Sequence, residues 1–121
     1  MKSKQEILDI IKDSIGGTDD YHQVFVNPDF PVLTDGVFGV VKAADAFWLV
    51  EKISQSQKNY PLDPNFQVWD LSVNLSDNSA VLRGYNDTEL IVEHEIDYTT
   101  FPLEEFRVYV MHGVILLPNE Y

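Results

Sequence analysis

The chain has 121 residues, and 45% of them are hydrophobic and 12% aromatic, which is enough to build a core. We therefore expect a single folded domain over residues 1–121 and not an intrinsically disordered chain. Asp and Glu number 20 against 8 Lys and Arg, for a formal net charge of −12. This sign argues against direct binding to nucleic acid or to an anionic membrane.

Several classes of protein and site are excluded or disfavoured by composition and motif. Cysteine is absent, which excludes disulfides, thiol nucleophiles, zinc–thiolate sites and iron–sulfur clusters. Charged residues interrupt the N-terminal segment, which predicts no signal peptide, and no stretch reaches the roughly 18 apolar residues of a membrane span. No serine lies in a nucleophile elbow, and no phosphate-binding loop is present. We expect a cytoplasmic protein without a cofactor.

The N-terminal segment has the pattern of an amphipathic helix. Its apolar residues follow a helical stripe: Ile7, Leu8, Ile11 and Ile15. Ser3 is a candidate N-cap, and Gly16-Gly17 is a candidate stop signal. Residues 18–33 mix Asp, Asn, Pro and aromatic residues and predict a long ordered loop, in which residues 21–26 could extend into a short strand.

The next segment predicts two helices or one kinked helix. Thr34 or Asp35 can cap a helix over about residues 36–43, because the residues that follow favour a helix over a hairpin. Asp45 precedes a second apolar stripe that runs to Ile53 and is a candidate cap for another helix. The predicted helical part spans about residues 3–58.

From residue 66 the hydrophobic period changes to two, which predicts β-strands. The first row is Gln67, Trp69, Leu71, Val73 and Leu75; a second strand covers residues 80–85; the third has the row Leu90, Val92, His94 and Ile96. Short turns between these strands predict an antiparallel meander. Residues 106–111 and 114–117 give the last strands of a β part that spans about residues 66–117.

Together these elements predict an α+β, two-layer fold. Two or three N-terminal helices pack on one face of a four- to five-stranded antiparallel meander sheet. The apolar run over residues 114–117 needs internal cover or a partner if it forms an open edge. A homo-oligomer could therefore form through an edge strand.

Five short segments, taken together, resemble those of a known family. They are TDGV (34–37), AFWLVEKI (46–53), FQVW (66–69), IDYTTFPL (96–103) and VILLPNEY (114–121). The chain resembles, over about residues 18–121, an uncharacterised family of small bacterial, plasmid and phage proteins, a domain of unknown function. The resemblance implies a stand-alone domain and brings no catalytic residues with it. Members often have Gly where this chain has Asp45, which implies a helix break there.

His94 is the most distinctive single residue, because it lies in the predicted apolar row of the third strand. A buried imidazole needs hydrogen-bond partners or must line a pocket. It is therefore either a satisfied core histidine or part of a binding site. In the second case Trp48, Trp69 and Tyr109 are the side chains expected to complete a ligand-binding or enzymatic pocket between helices and sheet.

Two acidic groups are candidates for other chemistry. Asp19, Asp20 and His22 lie close together in a loop and could bind a cation, although loop aspartates commonly bond local backbone. Glu93, Glu95 and Asp97 have the spacing of a strand face, roughly 7 Å between neighbours. Paired-carboxylate hydrolases use similar separations, but a solvent-facing strand gives the same pattern. We predict neither a metal site nor a catalytic residue.

The acidic face of the sheet is the predicted functional surface. It contains Asp70, Glu93, Glu95 and Asp97, and Arg83 and Arg107 can pair with them across strands. Such a surface either keeps the protein soluble or binds a basic protein surface. The preferred function is that of a small acidic interaction or inhibitor-type protein, and the ligand pocket around His94 is the alternative.

Overall fold

Residues 3–121, the part of the chain described in a computed structural model, fold into three α-helices and one seven-stranded sheet. The helices are α1 (Lys4–Asp13), α2 (Asp35–Ala43) and α3 (Phe47–Asn59). The strands are β1 (Tyr21–His22), β2 (Val32–Thr34), β3 (Gln67–Asn74), β4 (Ser79–Asn86), β5 (Glu89–Ile96), β6 (Glu105–Met111) and β7 (Val114–Leu116), and a 3-10 helix (Pro118–Glu120) follows. The predicted α+β class is confirmed.

The first two helices begin at predicted caps. The Ser3 hydroxyl accepts a hydrogen bond from the Glu6 amide, and the Glu6 carboxylate accepts one from the Ser3 amide, both at 3.3 Å. This capping box satisfies two amides that a helix start would otherwise leave unpaired. Thr34 caps α2 by accepting a hydrogen bond from the Val37 amide at 3.4 Å.

A break at Asp45 separates α2 from α3. Asp45 has a φ of 53°, in the left-handed region, and Ala46 occupies the N-cap position of α3 without a side-chain hydrogen bond. The prediction that Asp45 caps α3 is therefore wrong, and the segment forms two helices instead of one kinked helix. This conformation, which glycine adopts without strain, produces the helix break that the resemblance implies at this position.

The strand order, β1-β2-β7-β6-β3-β4-β5, corrects the predicted four- to five-stranded antiparallel meander. Only β3, β4 and β5 follow one another as a meander. The next strand, β6, returns to pair with the other side of β3, which produces a Greek-key arrangement. β7 pairs antiparallel with β6 and parallel with β2, so the sheet is mixed. The segment 114–117 is therefore not an open edge, and β1 and β5 are the edges.

The hydrophobic core lies between the helices and one face of the sheet. Alternate residues of β3, such as Trp69 and Leu71, join Val37 of α2 and Ile53 of α3 in a single buried cluster. The intervening strand residues point the other way, and most of them are half-buried or exposed, although Val68 is buried. We call this second side the open face; it contains Asp70, Ser72, Val81, Arg83, Tyr85, Glu93, Glu95, Glu105, Arg107 and Tyr109.

A β-bulge in β5 breaks the predicted row Leu90, Val92, His94 and Ile96. Leu90 lies opposite Tyr85 but Val92 lies opposite Gly84, so Ile91 has no residue opposite it. The extra residue turns Leu90 to the open face, where it is 49% exposed. The other three residues of the row are less exposed than Leu90: Val92 is buried, and His94 and Ile96 are half-buried.

Candidate partner-binding surface

Four charged residues form a ladder of alternating sign across the open face. The strand register places Arg107, Asp70, Arg83 and Glu93 side by side on β6, β3, β4 and β5. Arg107 donates two hydrogen bonds to Asp70, Nε to Oδ1 at 2.6 Å and Nη2 to Oδ2 at 2.9 Å. Arg83 Nε donates to Glu93 Oε2 at 2.8 Å. The hydrogen bonds to Asp70 raise the pKa of Arg107 above its ordinary value.

The ladder neutralises half of the predicted partner surface. Of the four carboxylates predicted to form that surface, Asp70 and Glu93 are each paired with an arginine of the same sheet. Cross-strand pairs of this kind stabilise a sheet by about 0.2–1 kcal/mol. The centre of the open face is therefore close to neutral, and the excess negative charge lies elsewhere.

Part of the unpaired negative charge of residues 3–121 lies along and directly after the outermost strand, β5. Glu89, Glu95 and Asp97 are exposed, and none of them has a hydrogen bond or ion pair from its side chain within residues 3–121. Glu89 and Glu95 lie on β5 and Asp97 follows it directly. We call these three residues the acidic edge, because no further described strand pairs with the outer side of β5.

The four residues predicted to form a ligand pocket do not lie together. Trp69 is fully buried in the core, where its Nε1 donates to Gln67 Oε1 at 2.9 Å. Tyr109 lies on the open face, on the opposite side of the sheet from the core. Trp48 lines a groove between α3 and the end of β5, and His94 does not line that groove.

His94 is half-buried and hydrogen-bonded between β5 and α3. Its Nε2 lies 2.9 Å from Ser56 Oγ. The Ser56 hydroxyl also donates to the Lys52 carbonyl at 2.8 Å, which links His94 to the backbone of α3. Burial, and secondly the charge of Lys52, lowers the pKa of His94 below 6.5. His94 is a satisfied histidine at the helix–sheet boundary.

The loop considered as a cation site is instead organised around Asp35. The amides of Asp19 and Asp20 donate to Asp35 Oδ2 at 2.9 and 3.3 Å, and His22 Nε2 lies 2.8 Å from Asp35 Oδ1. These bonds, with that of His22 the largest contribution, lower the pKa of Asp35 to about 2. The His22 ring also stacks on Phe38 at 4.2 Å. Asp35 therefore ties β1 and the preceding loop to α2.

Glu120 has a structural role that the sequence did not indicate. Its Oε1 accepts from the Thr34 hydroxyl at 2.6 Å and from the Leu117 amide at 2.9 Å, and its Oε2 accepts from the Gly36 amide at 3.2 Å. The C-terminal segment is thereby attached to the start of α2. Gly36 and Thr34 lie 84 and 86 residues before Glu120 in sequence. The one signal in the sequence was that the TDGV and VILLPNEY segments, which contain these residues, both belong to the family resemblance.

An apolar cleft of about 490 Å³ lies beside this network. Tyr21, Met111, Leu116 and Tyr121 contribute its apolar walls. The polar groups that line it include Thr34 and Glu120, which already bond each other. The cleft therefore offers apolar contact but few free polar groups that could orient a ligand.

Residues 3–121 contain neither a metal-binding cluster nor a membrane-spanning helix. Within this range no three His, Cys, Asp or Glu residues are grouped so that they could hold a metal ion. No helix in the same range has both the length and the apolar character needed to cross a membrane.

Comparisons with known proteins give one match. A family of unknown function, DUF6876, matches residues 10–121, which is most of the chain. A search of the curated proteins found no match, and a search of the solved structures found none either. The resemblance expected from the five segments is therefore confirmed at the level of an uncharacterised family. On the strength of this match, the chain is a member of the DUF6876 family.

Proposed function

We propose that this protein binds a basic protein surface through its acidic edge. The observation that supports the proposal most directly is the contrast between paired and unpaired carboxylates. Asp70 and Glu93 are held by arginines of the sheet, whereas Glu89, Glu95 and Asp97 have no cationic partner among residues 3–121. A cation from a partner can therefore be bound without breaking an existing ion pair.

The position of these carboxylates favours a macromolecular partner over a small ion. They are spread along the outer strand of the sheet, and no group of metal-binding residues is found in the described chain. A basic protein surface matches both the sign and the extent of this charge. Such charges mainly accelerate association, and salt screens them over distances beyond about 8 Å at physiological ionic strength. The proposed role is therefore non-enzymatic binding that weakens as salt increases.

The test measures binding of a fluorescent lysine-rich peptide by anisotropy, with an acidic peptide of equal length as the negative probe. The variant Glu89→Gln/Glu95→Gln/Asp97→Asn removes three charges from the acidic edge. The control variant Asp13→Asn/Asp19→Asn/Asp20→Asn removes three exposed charges from the N-terminal part of the chain. Because the two variants have equal net charge, a difference between them reports on position and not on overall charge.

We expect the edge variant to bind the lysine-rich peptide at least about tenfold more weakly than the wild type, and the control to bind nearly as well. The wild-type affinity should also fall between about 0.05 M and about 0.5 M salt. Equal losses in both variants would show that net charge alone attracts the peptide. That result, or the absence of binding to the basic probe, rejects the acidic edge as a binding surface.

A further inference from the structure

The outer side of β5 has the geometry of a docking site for an extended segment. β5 contains eight residues, Glu89–Ile96, and all of them except the bulged Ile91 have a partner residue on β4. Its outer side pairs with no other described strand. The backbone amides and carbonyls on that side are free to form a ladder with an added strand, the mode of recognition known as β-strand addition.

A groove lies beside the end of this strand, between β5 and α3. Its volume is about 370 Å³. Its charged and aromatic lining comes from two places. Trp48, Glu51 and Lys52 belong to α3, Glu95 lies near the end of β5, and Asp97 and Tyr98 follow β5 directly. Three of these carry a negative charge and one a positive charge, and no ion pair joins Lys52 to any of the three carboxylates within residues 3–121.

The aromatic residues of the groove are unusually accessible. Tyr98 is 65% exposed, although it lies next to the sheet, and Trp48 is half-buried. An aromatic face attracts a cation that approaches within about 6 Å of the ring centre, and neighbouring carboxylates add to the attraction. A long cationic side chain can place its methylene groups on the rings and its charge near Glu95 and Asp97.

We propose that the groove between α3 and β5 receives one lysine or arginine side chain of an extended segment that adds to β5 as an eighth strand of the sheet. This inference rests on the proposed binding of a basic partner and specifies how the partner is held. Main-chain hydrogen bonds to β5 supply affinity, and the groove selects the cationic side chain. Because side chains of a strand alternate, neighbours of that residue lie on the open face, near Glu93 and Glu95.

The first part of the test changes only the ligand, so it does not depend on the folding of any variant. The probe is an eight-residue peptide rich in Thr and Val with one central lysine and a flanking lysine at each end. One analogue replaces the central lysine by norleucine, which keeps the methylene chain and removes the charge. A second analogue carries N-methyl groups on alternate backbone amides, which removes donors needed for strand pairing. We expect each analogue to bind at least about tenfold more weakly than the parent.

The second part changes the groove. Tyr98→Ala should weaken binding of the parent peptide about five- to tenfold, the range expected for a partly desolvated cation–π contact. The matched control is Tyr21→Ala, because Tyr21 is 62% exposed and lies on β1, the opposite edge of the sheet. It should leave the affinity unchanged. Backbone amide shifts measured by NMR should be largest in β5 and not in β1.

The outcomes separate this inference from the proposed function. If the parent peptide binds the acidic edge but both analogues bind equally well and Tyr98→Ala has no effect, the basic partner is bound without strand addition or a groove. The proposed function then stands and the present inference is rejected. If no basic peptide binds at all, both are rejected. A loss with Tyr21→Ala equal to that with Tyr98→Ala also rejects the groove.

Discussion

Replacing Gly84 by Ala should destabilise the protein by forcing the buried Trp69 ring out of position. Gly84 lies directly opposite Trp69 in the sheet. A Cβ at residue 84 would lie 2.7, 2.8 and 2.9 Å from Cη2, Cζ2 and Cζ3 of the indole, whereas carbon atoms pack best at about 3.5–4.0 Å. The ring would therefore have to move by nearly 1 Å, although it is fully buried and its Nε1 is bonded to Gln67.

The expected net loss is about 2 kcal/mol. Overpacking of a core costs about 1–3 kcal/mol, and the smaller conformational entropy of Ala in the unfolded chain offsets about 0.4–1 kcal/mol of this. Because the indole cannot move without straining its hydrogen bond, the steric cost belongs in the upper part of its range. For a domain of this size the melting temperature should fall by roughly 6–10 °C.

Urea denaturation followed by circular dichroism measures this loss, and a double-mutant cycle with Trp69→Phe identifies its cause. The smaller phenylalanine ring leaves space for the added methyl group, so Gly84→Ala should cost less than about 1 kcal/mol in that background. A coupling energy above about 1 kcal/mol would confirm the steric contact. An equal cost of Gly84→Ala in both backgrounds would refute the reasoning, since the loss would then arise from the backbone and not from the indole.

Three other changes test separate parts of the structure. Glu120→Ala leaves the amides of Leu117 and Gly36 without their partner and should cost about 1–3 kcal/mol in urea denaturation, whereas the exposed Glu104→Ala should stay within about 0.5 kcal/mol of wild type. Because the pKa of His94 is lower in the folded than in the unfolded protein, its contribution to stability is present above about pH 6.5 and lost as the pH falls through the folded pKa. His94→Gln should reduce the fall in the urea midpoint between about pH 7 and pH 5. An unchanged dependence of the midpoint on pH in this variant would contradict the assignment. Arg107→Met should lower the free energy of unfolding by a few tenths to about 1 kcal/mol, and this loss should be smaller in about 1 M salt. A loss that does not depend on salt would mean that packing of the arginine stem, and not the ion pair with Asp70, is responsible.

The sequence predicted the elements whose signal is local, and it missed the features that depend on distant pairing. The alternation around Trp69 and the caps at Ser3 and Thr34 were sufficient to locate β3, α1 and α2. The parallel contact of β2 with β7 joins Val32 to Val114, and no periodicity within either short strand indicates it. The bulge that exposes Leu90 is equally invisible, because it depends on the register with β4.

The sequence predicts acidic residues on the sheet but not which of them lack a partner. The sequence predicts an acidic face with Glu93, Glu95 and Asp97 and the pairing of Arg83 and Arg107 with sheet carboxylates, and both arginines are paired in this way. It does not single out Glu89. Which carboxylates remain unpaired depends on strand order, since β3 lies between two arginine-bearing strands and β5 is an edge. The groove beside Trp48 likewise requires knowing that α3 packs next to the end of β5.

Four of the segments that carry the family resemblance meet in pairs at two places. The polar groups are hydrogen-bonded at the first place, whereas some of them lack a partner at the second. Residues 34–37 meet residues 114–121 at the start of α2, where both carboxylate oxygens of Glu120 and the Thr34 hydroxyl are already engaged. Residues 46–53 meet residues 96–103 at the groove, where Asp97 has no partner within residues 3–121 and Tyr98 is mostly exposed. A polar group whose hydrogen bonds are complete holds the fold together, whereas an accessible unpaired group beside an aromatic ring remains free to bind a ligand. By this criterion the start of α2 is a structural junction, and the groove at the end of β5 is the place where we propose that a partner is recognised.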